Sequence, residues 1–188
     1  VAKKKVVLAW IEPRTRNGFP APLMASFGAK DLVPSVAEVA LGSAERTTRS
    51  IGLARVNDET WALALVDEGS EGDVKGSVVL LNNELALQSQ RRVKDEGLPA
   101  ASIAVDVREG VTRVLTTHPE EVLRMRSSFL RSDEPPKEIG ALFGPPGQPF
   151  VHRFYRGDLF YAERSPAQGR TEDDFGRIRR IKFEPKSD

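Results

Sequence analysis

The stretch SIGLARVNDETWALALVDE, residues 50–68, decides the class of fold. Two short apolar runs, 50–56 and 61–67, lie on either side of Asn57 and Asp58. Short runs of this kind are typical of β-strands. Asn and Asp are typical of the tight turn in a hairpin, because both tolerate positive φ or hydrogen-bond to their own backbone. The stretch therefore predicts a β-hairpin.

Two further stretches repeat the pattern of strand, polar turn and strand. SIAVDVREGVTRVLTTHPE spans residues 102–120, and FVHRFYRGDLFYAERSP spans residues 150–166. The three turns are about 50 residues apart, which is a spacing found in repeat architectures. A third strand follows each hairpin, and a fourth follows the first two. The comparison therefore predicts a four-stranded unit that recurs along the chain.

Most other apolar segments also predict strands, because they are short and end at turn residues. The best helical candidate is residues 35–41, but its place in the repeat matches a fourth strand, so we predict a strand there as well. The remaining predicted strands are 6–12, 22–28, 50–56, 61–67, 77–83, 101–107, 112–117, 121–129, 138–144, 150–155, 159–164 and 177–183.

In architecture and spacing this series of units resembles a β-propeller, whose blades are four-stranded antiparallel sheets. The resemblance covers nearly the whole chain and includes no diagnostic motif of one propeller family. It implies an all-β protein, a β-propeller of about four four-stranded blades. The blades would span residues 1–46, 47–98, 99–147 and 148–188. A β-sandwich with chance alternation of apolar residues is the alternative fold.

Both ends of this series are incomplete. The first unit lacks its first strand, the last unit ends after its third, and the chain begins with Val1 rather than Met. Proteins usually cover unpaired strand edges. We therefore expect the chain to be part of a larger propeller, or to associate with itself or with another chain. Closure into a small four-bladed ring is the alternative.

The composition excludes several functional classes. Lys plus Arg is 28 and Asp plus Glu is 27, so the net charge of +1 creates no field that would attract nucleic acid. No apolar run approaches the roughly 20 residues of a membrane span. The absence of cysteine removes disulfides and Cys-ligated metals. It assigns no compartment, and an extracytoplasmic location is only slightly favoured.

The sequence also lacks catalytic and cofactor motifs. No nucleophile elbow and no phosphate-binding loop occurs. The acidic runs 68–73 and 171–176 lack the alternating ligands of an EF-hand. We therefore predict no cofactor and no metal site, with a loose Ca²⁺ site as the weaker alternative. His118 precedes Pro119 and two glutamates, and we predict an exposed loop histidine rather than a catalytic base or ligand.

The tripeptide Arg156-Gly157-Asp158 matches a motif that adhesion receptors recognise in some secreted proteins. It occupies the same place in its unit as Asn57 and Asp58 in theirs. Gly and Asp suit a tight hairpin turn. The position therefore predicts a turn rather than a receptor ligand.

Long loops of varied length are where a rigid scaffold commonly carries its binding specificity. If strands alternate in direction, the connections 13–21, 68–76 and 165–176 fall at one end of the units. Trp10 and Trp61 lie within strands and are predicted to be core residues. The predicted ligand-binding residues are therefore in these loops: Arg14, Arg16, Phe19, Glu71, Asp73, Arg170, Asp173 and Asp174.

Together these observations favour a non-catalytic β-propeller module that binds a protein or a glycan. One alternative is a half-propeller completed by another chain. A second is part of a propeller-fold enzyme that processes glycans. Such an enzyme would use acids near equivalent strand ends, which could converge on an axial pocket: Glu12, Asp67, Glu120 and Glu163.

Overall fold

All regular structure in the described part of the chain is β-strand. A computed structural model describes residues 5–13, 19–28, 34–40, 46–93, 100, 102–108, 111–119, 123–129, 137–142, 152–155, 158–163 and 177–182. The strands are β1 (Lys5–Glu12), β2 (Ala21–Gly28), β3 (Pro34–Ala40), β4 (Arg46–Arg55), β5 (Thr60–Gly69), β6 (Val74–Asn82), β7 (Leu87–Arg92), β8 (Ser102–Arg108), β9 (Val111–Pro119), β10 (Leu123–Phe129), β11 (Lys137–Leu142), β12 (His152–Tyr155), β13 (Asp158–Glu163) and β14 (Arg177–Lys182). These residues include no helix that could span a membrane.

The strands form four antiparallel sheets, and each sheet consists of strands that are consecutive in the chain. Sheet 1 contains β1–β3, sheet 2 contains β4–β7, sheet 3 contains β8–β11 and sheet 4 contains β12–β14. In every sheet the spatial order of the strands is their order in the sequence. Among the described residues no hydrogen-bonded ladder joins one sheet to another, so the four sheets are separate and do not form a closed barrel of strands. The predicted all-β class is confirmed.

The structure decides two details of the strand prediction: the nature of the segment 35–41 and the start of β4. β3 (Pro34–Ala40) confirms that the segment predicted at 35–41 is a strand rather than a helix, with residue 41 outside the described residues. β4 begins at Arg46, well before the predicted start at Ser50, so the predicted unit boundary after residue 46 falls just inside it. The polar sequence of this extension hid it, and the register shift between Thr48 and Ser50 interrupts its alternation.

β5 contributes to two hydrophobic cores, because successive side chains of a strand point to opposite faces. Leu63 and Leu65 lie in the core between sheets 1 and 2, whereas Ala62 and Ala64 lie in the core between sheets 2 and 3. The two inner strands of sheet 2, β5 and β6, are therefore buried on both faces. The first core contains Val7, Met24, Trp61, Leu63, Leu65, Val79, Leu81 and Leu85, and the second contains Ala62, Ala64, Val66, Val78, Val93, Ala100, Ile103, Val105 and Val114.

The first strands of the four sheets are neighbours: β1 lies beside β4, β4 beside β8, and β8 beside β12. β4 and β8 lie close together at Gly52, where an added Cβ would lie 2.9 Å from the Ala104 Cα. The Ile103 amide donates a hydrogen bond to the Ser50 hydroxyl at 3.2 Å. Sequential antiparallel sheets are thus brought together along their first strands.

The hairpin turn that the opening stretch predicts is present. The Val56 amide donates to the Thr60 carbonyl at 2.9 Å, and the Glu59 amide donates to the Asn57 side chain at 2.8 Å. Asn57 therefore caps its own turn, as expected for this residue type. β12 and β13 also pair as a hairpin, with Tyr155 opposite Asp158. Residues 156–157, between these strands, lie outside the described residues.

Candidate functional site

One end of sheets 1 and 2 carries three of the predicted binding residues, Phe19, Glu71 and Asp73. We call it the loop end; it comprises residues 19–20, Arg46, Thr48, Asp67 and the turn 69–75. Phe19 is 43% exposed. The Pro20 carbonyl accepts a hydrogen bond from the Thr48 amide at 2.8 Å, which attaches the segment before β2 to β4. The two loops that the sequence assigns to one end are therefore linked through β4.

Arg46 fixes the turn between β5 and β6. Its Nη1 donates to Asp73 Oδ2 at 2.9 Å, and its Nη2 donates to the carbonyls of Asp67 at 2.9 Å and Asp73 at 2.6 Å. The Gly69 amide closes the turn by donating to the Asp73 carbonyl at 2.9 Å. The guanidinium thus uses its planar set of donors to hold a loop that would otherwise be mobile.

The Asp73 carboxylate pairs with two cations, Arg46 and Lys75. Lys75 Nζ lies 2.8 Å from Asp73 Oδ2, in addition to the Arg46 contact. The hydrogen bond from Lys75, followed by that from Arg46, lowers the pKa of Asp73 to about 2. The sequence predicts a ligand-binding carboxylate at this position. In the structure this carboxylate is engaged within its own chain, where it shapes the loop.

Asp67 lies beneath the same loop in a different environment. It is buried, and the Thr48 hydroxyl donates to its Oδ1 at 2.6 Å. Burial raises the pKa of the Asp67 carboxyl, against the opposing effects of the Thr48 hydrogen bond and the Arg46 charge. Two carboxylates of one loop thus have pKa values shifted in opposite directions, one by burial and one by cations.

We expect Asp67→Asn to raise the melting temperature at pH 7, by at most about 4 °C for a chain of this size. Because the folded-state pKa of Asp67 is raised, its protonated form stabilises the fold. That contribution is full below pH 3.8 and is lost as the pH rises through the folded-state pKa. Asparagine keeps the acceptor for Thr48 without the buried charge. Thermal melts from pH 3 to 8 should show the gain at pH 7 and little gain near pH 3.

Asp73→Asn is the matched control, for which we expect the opposite change in melting temperature at pH 7. Its ionised form stabilises the fold above pH 3.8, and that contribution is lost as the pH falls through about 2. We expect a lower melting temperature at pH 7 that converges with the wild-type value in strong acid. The same direction of change for both variants at pH 7 would contradict this assignment.

The remaining predicted binding residues are placed as follows. Glu71 is exposed in the turn between β5 and β6, close to Asp73. Five others lie outside the described residues: Arg14, Arg16, Arg170, Asp173 and Asp174. The loop end therefore brings together Phe19, Glu71 and Asp73 from the predicted set, with Arg46 and Thr48 added by the structure.

Of the carboxylates considered for an enzyme, the structure describes Glu12, Asp67 and Glu163. In sheet 2, Trp61 pairs with the last residue of β4, and Asp67 lies six residues after Trp61. In sheet 3, the residue at the corresponding position, counted in the same way, is Thr117. The Ser102 and Thr117 hydroxyls are hydrogen-bonded at 2.6 Å, in the place of the Thr48–Asp67 pair. Glu120 lies outside the described residues. The hypothesis that Asp67 and Glu120 share a pocket therefore stays a prediction.

The Glu12 carboxylate accepts a hydrogen bond of 3.4 Å from the Trp10 indole, within its own strand. Glu163 is the last residue of β13, where it lies opposite Arg177 of β14. Neither observation brings these two acids to a shared pocket.

The prediction of an exposed loop histidine at position 118 is wrong. His118 is 1% exposed and lies within β9, opposite Arg124 of β10. Its Nε2 is 2.8 Å from the Thr116 hydroxyl. The physical reason is that β9 continues to Pro119 as an inner strand of sheet 3, so the histidine is covered by its neighbours. Within the described ranges, no group of three or more His, Asp or Glu side chains could hold a metal ion.

A second candidate site is an apolar cavity of about 220 Å³ between the first strands of sheets 1, 2 and 3. We call it the inner cavity. It is lined by Val7, Leu8 and Ala9 of β1, by Ile51, Gly52 and Leu53 of β4, and by Ala104 and Val105 of β8. No lining residue is charged or has a polar side chain. The volume is below the roughly 300–1,000 Å³ of typical small-molecule sites.

Comparison with known proteins leaves the chain without an assigned family. No protein-family model matches it, and no curated protein is similar to it in sequence. The loop end and the inner cavity therefore have to be interpreted from their own geometry.

Proposed function

We propose that the chain is a non-catalytic binding module in which the four sheets are arranged as blades of a β-propeller. The observation that carries the proposal is the series of four sequential antiparallel sheets whose first strands are neighbours. This is the connectivity expected of successive blades. Loops at one end of such blades form a surface that can vary without loss of the scaffold.

The loop end supports a binding role rather than catalysis. Arg46 and Lys75 both pair with Asp73 and hold the turn in place, and the Thr48 hydroxyl donates a hydrogen bond to Asp67. These contacts preorganise a surface next to the exposed ring of Phe19. A rigid loop with an exposed aromatic residue suits recognition of a protein or a glycan, because aromatic rings contribute large contact area at low entropic cost.

The second candidate function is a partial propeller that another chain completes. The specific observation in its favour is the exposure of apolar side chains on β1, where Leu8 is 52% exposed. An enzyme that processes glycans has less support, since no contact among the described residues brings the acids Glu12, Asp67 and Glu163 together.

The binding role is tested with a photo-crosslinking amino acid, p-benzoylphenylalanine, placed at position 19. We expect ultraviolet irradiation in an extract of the source cells to give one or a few defined adducts, identified by mass spectrometry. The control carries the same amino acid at position 87, because Leu87 is also exposed but lies on β7, away from the loop end.

Glycan recognition is tested on the same surface by comparing the wild-type chain with Phe19→Ala on a glycan array. A glycan ligand would be retained at least tenfold better by the wild-type chain. The proposed role is contradicted if position 19 yields no adduct beyond those of position 87 and the array shows no glycan that depends on Phe19.

A further inference from the structure

The turn between β5 and β6 forms a recess over Gly69 that holds a carboxylate. A Cβ added at Gly69 would overlap Asp73 Oδ1 and would lie 2.8 Å from Arg46 Nη1. The Asp73 carboxylate therefore occupies the space that a side chain at position 69 would fill. Glycine is the residue that permits such a close approach to the main chain. We call this space, bordered by Gly69, Arg46 and Lys75, the anion recess.

Two cations of the anion recess converge on one oxygen atom. Lys75 Nζ lies 2.8 Å and Arg46 Nη1 lies 2.9 Å from Asp73 Oδ2. Charge-assisted hydrogen bonds of this kind are also those with which proteins bind the carboxylates of their ligands. The hydrogen bonds from Lys75 and then from Arg46 lower the pKa of Asp73 to about 2. The recess therefore strongly favours a negative charge.

The donors of the recess are held in place without the Asp73 carboxylate. Arg46 Nη2 donates to the main-chain carbonyls of Asp67 and Asp73, and the Gly69 amide closes the turn on the Asp73 carbonyl. None of these three hydrogen bonds involves the side chain of Asp73. The side chains of Asp73 and Lys75 are 45% and 46% exposed, so the recess opens to solvent. Another anionic group can thus replace the carboxylate while the turn keeps its shape.

We propose that the anion recess binds the carboxylate of an acidic glycan, and that Asp73 is a built-in competitor which this ligand displaces. The incoming carboxylate accepts the hydrogen bonds of Arg46 and Lys75 while the Asp73 side chain moves into solvent. The affinity of the wild-type chain is reduced accordingly, because only the molecules with an open recess can bind. The inference rests on the proposed binding role and names the ligand class for the same loop end.

Phe19 and the anion recess lie at the same end of β4. The Pro20 carbonyl, next to Phe19, accepts its hydrogen bond from the Thr48 amide, and Thr48 is two residues after Arg46. A ligand with its carboxylate in the recess therefore has an exposed aromatic ring on the neighbouring loop for its sugar ring to pack against.

The surroundings favour a glycan over other anionic ligands. A protein interface usually has an apolar core made by several side chains, whereas Phe19 is the exposed large hydrophobic side chain of the loop end in the described part of the chain. The turn also exposes Ser70 and Glu71, which can form hydrogen bonds with sugar hydroxyls. Nucleic acid is disfavoured because Glu71 is an acid and the net charge of the chain is only +1.

The probe for the recess is methyl β-D-glucuronide, and methyl β-D-glucoside is its neutral counterpart. Binding to the full chain is followed by a ¹H–¹⁵N NMR titration of the Gly69 amide. We expect Asp73→Ala to bind the glucuronide at least tenfold more tightly than the wild-type chain does. The glucoside should bind both chains at least tenfold more weakly than the glucuronide binds Asp73→Ala. Shift changes should include residues 69–75 and exclude β7.

Lys75→Gln tests the cations of the recess at an exposed position, where the fold should tolerate the change. Added to Asp73→Ala, it should weaken glucuronide binding at least tenfold. Lys5→Gln is the matched control and should leave binding unchanged, because Lys5 contacts Asn83 and Glu84 at the opposite end of sheet 2. Melting temperatures verify that each variant is folded. If Asp73→Ala is unfolded, Asp73→Asn takes its place, and its gain in affinity should have the same direction.

Two results would overturn the inference. Glucuronide binding that does not increase when Asp73 is replaced, or an increase that persists without Lys75, would leave Asp73 with a structural role only. Equal binding of the glucuronide and of the acidic peptide acetyl-Ala-Asp-Ala-amide would show that the recess does not select a glycan.

The test also separates this inference from the proposed function. A neutral glycan that depends on Phe19 on the array, together with no gain in glucuronide binding, would leave the proposed function standing and refute the acidic ligand class. A gain in glucuronide binding without any adduct or glycan that depends on position 19 would support the recess and contradict the role of Phe19.

Discussion

Gly52→Ala should lower the free energy of unfolding by about 1–3 kcal/mol, the usual cost of overpacking. Gly52 lies on β4 against the main chain of β8, and an added Cβ would be 2.9 Å from the Ala104 Cα and 3.2 Å from the Ile103 carbonyl oxygen. These neighbours are main-chain atoms, so they can move only if a whole strand moves. Urea denaturation followed by tryptophan fluorescence measures the change.

Gly76→Ala is the control for this prediction. A Cβ at Gly76 would meet only side chains, the nearest being the Val93 Cβ at 3.3 Å. Both substitutions stiffen the unfolded chain equally, so the difference between them reports the contact in the folded state. Equal effects of the two substitutions would contradict the close approach of β4 and β8.

Leu63→Ala should destabilise the protein by about 2–5 kcal/mol, the range found when a large aliphatic side chain is removed from a core. Leu63 is fully buried in the core between sheets 1 and 2. Its loss removes contacts with sheet 1 as well as within sheet 2. The free energy of unfolding from urea titration and the melting temperature should both fall.

Leu87→Ala makes the same chemical change at a residue that is 61% exposed. We expect its effect to stay within about 0.5 kcal/mol, as for most surface substitutions. If Leu63→Ala were as mild as Leu87→Ala, sheets 1 and 2 would not share a core in solution.

The strands could be predicted from the sequence because their signals are local. The hairpin β4–β5 follows from two apolar runs around Asn57, and the assignment of β3 follows from its place in the repeat. The extension of β4 to Arg46 could not be predicted. Its residues are polar, and they are ordered by partners that lie about 20 residues or more away, at Asp67 and Asp73.

The candidate sites were less predictable, because they depend on which strands become neighbours. The position of Phe19 in a loop suggested exposure, and the structure agrees. The burial of His118 could not be predicted, because it depends on β9 being an inner strand that pairs with both β8 and β10. The inner cavity is formed by three sheets together. The one signal in its favour was the apolar run of β1, which predicts burial on both faces.

The strictly sequential order of the ladders has a consequence for synthesis on the ribosome. Every sheet pairs strands that are adjacent in the chain, so each can form soon after its own residues emerge, at a small cost in loop closure. The inner face of sheet 1 is different. Among the described residues, Val7 and Met24 share their core with residues of sheet 2. During translation the first sheet therefore waits, with apolar residues open to water, until β5 and β6 have been made, and this interval is when the nascent chain is most prone to aggregate.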